Sequence, residues 1–230
     1  MTELVVPKHV GFIVDGNRRW AKKHGLPAYE GHMAGYNVIQ DVAKAAFDYG
    51  VEFVTLYIFS TENWKRSEEE VSKLMGLVLK MLTSDLPLFD KNNIKLRVLG
   101  SRENVSQRIL NAIDDAESRT ANNTAGTLAV CFNYGGQLEI VDAVKKIVQS
   151  GVKADEITID LISNNLYAPE VPPIDIVVRT SGEHRISNFM LWRIDYSELL
   201  FLKKFWPDIT KADVADIIKE YTKRSRRIGE

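Results

Sequence analysis

The segment that decides the fold reads His9-Val-Gly-Phe-Ile-Val14 and is followed at once by Asp15-Gly-Asn-Arg-Arg-Trp20. Its first half is a continuous apolar run, which is typical of a strand covered on both faces of a sheet. Five later runs have the same character, and helical patterns separate most of them. The predicted strands are His9–Val14, Phe53–Phe59, Ile94–Leu99, Thr127–Phe132, Ile174–Val178 and Leu199–Leu202.

Longer amphipathic patterns lie between and after these runs. The second of them begins with Ser67-Glu-Glu-Glu70, which predicts a capping box at a helix N-terminus. Alternation of buried strands with helices predicts an α/β fold, with a central, mostly parallel sheet flanked by helices. The predicted helices are Ala34–Tyr49, Glu68–Ser84, Val105–Ala121, Gln137–Gln149 and Lys211–Lys223.

Length and composition limit the function. A chain of 230 residues predicts a single domain, 1–230, and 45% hydrophobic with 27% charged residues is typical of a globular protein. The net charge of -1 argues against nucleic-acid binding through bulk positive charge. A single cysteine, Cys131, excludes a disulfide framework and suits a reducing cytoplasm. We expect a cytoplasmic protein, because the sequence shows neither a signal-peptide pattern nor an apolar run of membrane-spanning length.

Polar loops follow four of the predicted strands. In parallel sheets, ligands bind beyond the carboxyl ends of the strands, so these loops are expected to converge. Their arginines and glycine-containing turns suit phosphate oxygens, which a guanidinium binds in bidentate fashion. One carboxylate among them, Asp15, suggests Mg²⁺ held together with phosphates. The loops are Asp15–Trp20, Ser60–Arg66, Asn133–Gly136 and Arg179–Ser187.

Each motif alone also has an ordinary structural explanation. Asp15-Gly16 is typical of a turn, and His32 could be a structural histidine. Neither a P-loop nor a dinucleotide-binding glycine motif is present, and an Asp-Asp-x-x-Asp box is absent as well. The joint placement of the four loops therefore predicts a polyphosphate site that no single motif supports.

Three blocks of the sequence resemble the cis-prenyltransferases, the undecaprenyl diphosphate synthase family. They are His9–Ala21 with Gly31-His32-x-x-Gly35, then Tyr57–Arg66, and finally Asp175–Trp192 continued by Tyr196–Glu198 and Phe205–Asp208. The resemblance runs from about residue 8 to the C-terminus. It implies an enzyme that condenses isopentenyl diphosphate with an allylic diphosphate, such as farnesyl or geranyl diphosphate. The product would be a Z-polyprenyl diphosphate, with undecaprenyl diphosphate for a cell-wall lipid carrier as one candidate.

The resemblance also implies roles for residues. Asp15 would act in catalysis and hold Mg²⁺, and Glu198 would complete the metal site. Asn63 is the implied proton acceptor, but an amide is a poor base, so we expect it to orient the group that takes the proton. The implied substrate-binding residues are Gly16, Asn17, Arg18, Arg19, Trp20 and His32 for the allylic diphosphate, Ser60, Thr61, Glu62, Trp64 and Arg66 near the reacting carbons, and Arg179, Arg185, Ile186, Ser187, Arg227 and Gly229 for isopentenyl diphosphate.

The sequence departs from the family pattern near this site. Bacterial members often have an arginine where this chain has Ala28, and many have a glycine where it has Arg18. We expect Arg18 to replace the missing diphosphate contact.

The end of the chain carries a second family feature. Arg227-Ile-Gly229 resembles an Arg-x-Gly tail that crosses a dimer interface, which implies a homodimer. Four basic residues among the last eight would also suit peripheral association with an anionic inner membrane surface.

The helix from Glu68 is apolar nearly all round, which fits a buried core helix and, in the resembled family, the wall of a tunnel for the growing chain. Long-chain bacterial members commonly have alanine where this chain has Ile58, so we expect a short- or medium-chain product. Gly76 and Val78 could restore room, and undecaprenyl length is the alternative.

Two other functions stay open at this stage. A non-catalytic partner subunit of a heteromeric prenyltransferase would share the fold, but such subunits have lost the Asp-Gly-Asn loop that is retained here. A phosphate-binding α/β hydrolase would explain the arginines but not the apolar helix.

Overall fold

The computed structural model describes residues 4–224 and contains one six-stranded sheet in that part of the chain. The order is β3-β4-β2-β1-β5-β6, and every neighbouring pair is parallel. The α/β fold is therefore confirmed, with a sheet that is wholly rather than mostly parallel. The strands are β1 (His9–Ile13), β2 (Phe53–Ser60), β3 (Ile94–Leu99), β4 (Gly126–Tyr134), β5 (Ile176–Arg179) and β6 (Glu198–Phe201).

Helices cover both faces of the sheet, and the apolar side chains of the strands are buried between them. In the described residues they are α1 (Asn17–Lys23), α2 (Ala28–Asn37), α3 (Ile39–Asp48), α4 (Glu68–Leu82), α5 (Leu86–Lys91), α6 (Gln107–Arg119), α7 (Gly136–Gln149), α8 (Ile159–Ser163) and α9 (Lys211–Thr222). No helix of residues 4–224 combines the length and apolar character needed to cross a membrane.

Two differences from the predicted helices bear on the site. The predicted helix Ala34–Tyr49 is wrong, because α2 and α3 meet at Val38 and α2 begins earlier. Val38 has near-helical dihedral angles (φ −84°, ψ −11°), so the sequence pattern runs through the junction. The second difference is α1, which begins directly after the loop residue Gly16 and was not predicted. Gly16 has φ +106°, a left-handed conformation that glycine adopts without strain, and this lets the chain turn from β1 into α1.

The register of the central strands sets the level of the loops. Ile13 of β1 lies beside Arg179 of β5, so the loops after these strands leave the sheet side by side. The backbone amide of Asp15 donates a hydrogen bond to the Thr180 hydroxyl (2.9 Å), which fixes one loop to the other. The two predicted arginine-containing loops therefore meet at the carboxyl edge. The predicted boundary of the domain, residues 1–230, stays a prediction.

Candidate functional site

Asp15 lies between two arginines at this edge. Its carboxylate accepts a hydrogen bond from the Arg179 guanidinium at 2.9 Å and forms an ion pair with Arg19 at 3.2 Å. The Arg179 side chain is 4% exposed and that of Asp15 is 28% exposed. A buried guanidinium is therefore paired with a carboxylate that is accessible at the surface. Burial raises the pKa of Asp15, but the hydrogen bond and charge of Arg179, together with Arg19, outweigh it and hold that pKa below its ordinary value. The carboxylate is therefore ionised at neutral pH.

Arg179 also organises the loop after β5. One of its terminal nitrogens donates to the Ser187 hydroxyl at 2.7 Å and to the Arg185 carbonyl at 2.6 Å. Its Nε is buried and has no hydrogen-bond partner in the described structure. An unpaired buried donor is costly unless something else satisfies it. Arg179 therefore has a donor to spare.

Asn188 fixes the turn that carries Ser187. Both residues have positive φ angles, +49° for Ser187 and +63° for Asn188. The Asn188 side-chain oxygen accepts from the Gln137 amide at 2.9 Å, and its backbone carbonyl accepts from the Gly136 amide at 2.8 Å. The N-terminus of α7 thus holds the strained turn in place, a role that sequence reasoning missed.

Glu183 was also missed. It accepts hydrogen bonds from Arg19 at 2.7 Å and from Arg185 at 2.5 Å, and so joins an arginine of the first loop to one of the last. Its place within the predicted loop Arg179–Ser187 was the only sequence signal. Ile186, predicted to bind substrate, is partly buried and packs against a cluster of buried side chains that includes Tyr57 and Phe189.

Two glycines of α2 make room for Asn17 of α1. A Cβ at Gly31 would lie 2.0 Å from the Asn17 carbonyl oxygen, and one at Gly35 would lie 2.4 Å from Asn17 Oδ1. Only glycine allows α1 and α2 to approach this closely. Asn17 Oδ1 is buried without a hydrogen-bond partner in the described structure. Its neighbour Arg18 is largely exposed, with 61% of the side chain accessible.

Glu70 connects α4 to this group. Its carboxylate accepts from Arg66 at 2.9 Å, lies 3.3 Å from His32 Nε2 and is 3.9 Å from Arg18. The predicted capping box is only half formed, because Ser67 accepts from the Glu70 amide while the Glu70 side chain turns to these basic groups. Burial, together with the charge of Arg66, lowers the pKa of His32 despite the adjacent Glu70.

A polar pocket of about 720 Å³ opens over these side chains. Arg18 and Ala28 both line it. That Arg18 replaces an arginine at position 28 stays a prediction. Lys22 lines the pocket too and was not predicted. Its lining consists of Val14, Asp15, Gly16, Asn17, Arg18, Arg19, Lys22, Gly25, Leu26, Ala28, His32 and Arg66.

An apolar cavity adjoins this pocket and shares Val14, Asn17 and His32 with it. Its volume is about 60 Å³. On the same scale a single water molecule needs roughly 10–15 Å³. Ile58 of β2 and Val78 of α4 both line it, as predicted. Gly76 is exposed and adds no room, so that part of the prediction is wrong. The remaining lining is Gly35, Tyr36, Ile39, Phe59, Leu74, Leu77, Met81 and Trp206.

The loop after β2 is a short 3-10 turn, Thr61–Lys65. Asn63 Oδ1 accepts from the Ser60 amide at 3.1 Å, so this side chain closes its own turn. Trp64 donates to Asn133 at 2.7 Å, and Glu62 accepts from Asn188 at 3.4 Å. The turn is therefore tied to the loops after β4 and β5.

Trp20, on α1, donates to Asp208 at 2.7 Å.

Glu198 is not brought to Asp15 within the chain. Glu198 is in register with Ile176 at the amino end of β5, whereas Asp15 follows the opposite end of β1. From Val10, which is level with Ile176, to Ile13 is a rise of three strand residues or about 10 Å, and Asp15 lies two residues further on. Glu198 instead pairs with Arg224 at 2.9 Å. Residues 4–224 contain no group of three His, Cys, Asp or Glu side chains that could hold a metal. Arg227 and Gly229, which were predicted to bind isopentenyl diphosphate, lie outside the described residues.

A basic pocket directly beside an apolar cavity suits an amphiphile with an anionic head and a hydrocarbon chain. The family described as "Putative undecaprenyl diphosphate synthase" matches residues 13–229. An isoprenyl transferase of Thermotoga maritima is 44% identical over 97% of both chains. A ditrans,polycis-undecaprenyl-diphosphate synthase of Aliivibrio fischeri, farnesyl-diphosphate specific, is 42% identical over 98% of this chain and 89% of its own.

Solved structures agree. Lavandulyl diphosphate synthase from Lavandula x intermedia, in complex with dimethylallyl diphosphate, superposes with a TM-score of 0.93 at 32% identity, over 98% of this chain and 99% of its own. A probable undecaprenyl diphosphate synthase from Campylobacter jejuni gives 0.82 at 28% identity over both full chains. This chain belongs to the undecaprenyl diphosphate synthase family of cis-prenyltransferases and is an isoprenyl transferase. These relatives do not support a non-catalytic subunit or a hydrolase.

Proposed function

We propose that this enzyme condenses isopentenyl diphosphate with an allylic diphosphate and releases diphosphate, forming a Z-polyprenyl diphosphate. The observation that carries the proposal is that the basic pocket lies directly beside the apolar cavity and shares Val14, Asn17 and His32 with it. The diphosphate of the primer would bind in the pocket and its hydrocarbon chain in the cavity. The lavandulyl relative was solved with an allylic diphosphate, which supports this choice.

The guanidinium groups would act mainly on the leaving group. When the bond between the allylic carbon and oxygen breaks, negative charge builds on the departing diphosphate. Arg18, Arg19 and Arg66 line that pocket, and the last two are held by hydrogen-bonded ion pairs to Glu183 and Glu70 before substrate arrives. Preorganised charges of this kind stabilise a transition state without reorganising.

The second substrate would bind beside it. Arg179, Arg185 and Ser187 form one cluster, in which Arg179 donates to the Ser187 hydroxyl and to the Arg185 carbonyl. The Arg185 guanidinium and the Ser187 hydroxyl would bind the phosphate oxygens, and Arg179 would hold them in place. The alkene of isopentenyl diphosphate attacks the allylic carbon, and loss of a proton forms the new double bond. Because Asn63 already accepts from the Ser60 amide, we assign it to orienting this turn, while the departing diphosphate or a water takes the proton.

Asp15 is a suitable ligand for Mg²⁺. It is ionised and partly exposed on the pocket, and Mg²⁺ typically takes one or two carboxylates and fills its other positions with waters and substrate phosphates. Bound there, the ion would neutralise charge on the leaving diphosphate. Glu198 of the same chain takes no part in this proposal, because it lies at the other end of the strands.

Incubation with labelled isopentenyl diphosphate and farnesyl or geranyl diphosphate tests the function. We expect label to enter an acid-labile polyprenyl diphosphate, and we expect EDTA to stop incorporation and added Mg²⁺ to restore it. Release of inorganic phosphate without a prenyl product would indicate a hydrolase. Full activity in EDTA would overturn the assignment of the metal but not the assignment of the transferase activity.

We propose a short- or medium-chain product, with undecaprenyl length as the alternative. The support is the small cavity and the β-branched Ile58 on its wall. Each further isoprene unit must find apolar space or stay in water at about 25 cal/mol per Å². Ile58→Ala should lengthen the products seen by mass spectrometry, whereas the exposed Ile159→Ala should not. An unchanged length distribution in Ile58→Ala would refute the constriction.

We also propose a homodimer. β6 is an edge strand that exposes Leu199, and Tyr196 beside it is 60% exposed. An exposed strand edge of this kind is a surface for pairing with another chain. Truncation after Arg224 should raise the KM for isopentenyl diphosphate more than that for the primer. A monomer in sedimentation at micromolar concentration with full activity would contradict this proposal.

A further inference from the structure

Three side chains meet at the end of α4. The Tyr36 hydroxyl, from α2, donates to Asp85 Oδ2 at 2.5 Å, and Lys80 Nζ makes a short ion pair with the same carboxylate. Lys80 Nζ also lies 5.0 Å from the centre of the Tyr36 ring, within the range of a cation–π contact. We call Tyr36, Asp85 and Lys80 the Tyr36 latch. It fastens the C-terminal end of α2 to the end of α4.

In the latch, the Asp85 side chain does not make the hydrogen bond that would cap its own helix, α5. Asp85 is the N-cap residue of α5, where an aspartate side chain usually accepts a hydrogen bond from an amide of the first turn. Here that capping bond is absent, and the carboxylate is turned to Tyr36 and Lys80 instead. Its side chain is only 15% exposed, so the contact is more than a solvated surface pair.

Tyr36 is also part of the cavity wall. His32 and Tyr36 are one helical turn apart on the same face of α2, and both line the apolar cavity. His32 lines the polar pocket as well, whereas Tyr36 does not. Tyr36 therefore lies on the side of the cavity away from the diphosphate pocket, where the end of a growing chain would arrive. Asp85 and Lys80 do not line the cavity.

The protonation states favour a persistent contact. Burial raises the pKa of the Tyr36 phenol, and its hydrogen bond to Asp85 raises it further, so the hydroxyl stays a donor. Burial raises the pKa of Asp85, but Lys80 and Tyr36 outweigh it and leave that pKa below its usual value. The hydrogen bond thus joins a neutral donor to a charged acceptor, which is stronger than a neutral pair.

We propose that the Tyr36 latch determines product length by holding the Tyr36 ring across the far side of the apolar cavity. The inference rests on the proposed prenyl-chain elongation. A chain that grows past this point must displace the ring, and displacement must break the hydrogen bond to Asp85. Elongation slows there, and release of the product competes. Tyr36 is then a specificity-determining residue, and Asp85 and Lys80 are positioning residues that act through it.

The test compares the length of the products of wild type, Tyr36→Phe and Asp85→Ala, made from labelled isopentenyl diphosphate and a farnesyl primer and measured by mass spectrometry. Both variants keep an aromatic ring at position 36 but lose the hydrogen bond. We expect the main product of each to lengthen by at least one isoprene unit. Tyr49→Phe, an exposed tyrosine outside the cavity, is the matched control and should give wild-type products.

The outcomes distinguish an effect of the hydrogen bond to Asp85 from an effect of the volume of the Tyr36 side chain. If only Tyr36→Ala lengthens the product, while Tyr36→Phe and Asp85→Ala keep the wild-type length, side-chain volume is responsible and the latch is overturned. Unchanged lengths in all three variants overturn it as well. Circular dichroism of each variant confirms folding, and Tyr36→Phe alone decides the question should Asp85→Ala not fold. Failure of the wild type to incorporate isopentenyl diphosphate would instead overturn the proposed function, and the latch with it.

Discussion

Two ion pairs of the same chemical type show how differently this fold uses an arginine. Arg193 and Glu139 are both buried, and every group is satisfied: the guanidinium donates to Glu139 at 2.8 Å and to the carbonyls of Val171 and Tyr167. Glu139 accepts in addition from the Tyr134 hydroxyl at 2.5 Å. Arg179 is equally buried, but its Nε is unpaired and its partner Asp15 reaches the polar pocket.

The difference separates a structural pair from a candidate functional one. The Arg193–Glu139 pair has no capacity left for a ligand, so its value lies in holding α7 to the two segments that flank β5. The Arg179–Asp15 pair is incompletely satisfied, and its carboxylate is accessible from the polar pocket, where it would hold a metal-bound diphosphate. Burial of an arginine therefore does not identify a site, but incomplete pairing beside a pocket does.

The largest effect on stability is expected at the structural pair. Glu139→Ala would leave the Arg193 charge buried without its partner, so the free energy of unfolding should fall by about 3–5 kcal/mol. Urea denaturation followed by circular dichroism measures it. Glu170→Ala removes a glutamate from a more exposed pair with Arg97 and should cost at most about 1 kcal/mol. Equal losses in the two variants would contradict the contrast.

A pH effect on stability should arise at His9, far from the pocket. Burial lowers the pKa of His9 from 6.5 to about 4, although the Pro172 carbonyl and Asp175 act in the opposite direction. Between these values the unfolded chain binds a proton that the folded protein does not, so stability falls as pH decreases from 6.5 towards 4. At about 1.4 kcal/mol per pKa unit, the loss from His9 is roughly 3 kcal/mol.

Urea unfolding of wild type and His9→Gln at several pH values tests this. The variant should lose less stability on acidification, whatever its stability at pH 7. His24→Gln, in which an exposed ring is replaced, should keep the wild-type slope. Parallel slopes for wild type and His9→Gln would show that His9 does not titrate in this window.

At the functional pair the expected loss is in catalysis. Asp15→Ala removes the proposed metal ligand, which acts when charge builds on the leaving group, so kcat should fall roughly 100-fold or more, about 2.7 kcal/mol. Steady-state kinetics with saturating Mg²⁺ measures it, and Asp48→Ala, at an exposed pair with Lys44, is the control. Wild-type turnover in Asp15→Ala would remove Asp15 from the metal site.

The smallest effect is expected at Arg18, whose side chain is largely exposed on the pocket. Arg18→Ala should raise the KM for the allylic primer roughly five- to tenfold, since a single exposed charged contact is lost. If Arg18 replaces an arginine at position 28, the double variant Arg18→Ala with Ala28→Arg should restore most of that affinity. No rescue, or an equal rise in the KM for isopentenyl diphosphate, would count against the replacement.

Much of this protein is already determined by local sequence. The apolar runs predicted all six strands to within two or three residues, because strands buried on both faces need continuous hydrophobicity whatever surrounds them. The loops after these strands were recognisable because parallel strands all end at one edge. The resemblance to the family rests on those same blocks, and the comparisons confirm it.

Only the tertiary structure decided which side chains meet. The sequence pattern predicted that the Glu70 side chain caps a helix, but in the structure it contacts His32 and Arg66. Glu198 was predicted beside Asp15, but it lies at the other end of the strands. Tyr36 and Asp85 are 49 positions apart and meet across two helices. Periodicity and caps depend on neighbours in the chain, so a sequence displays them. Strand register and side-chain pairing depend on how distant segments pack, and that is settled only when the whole core closes.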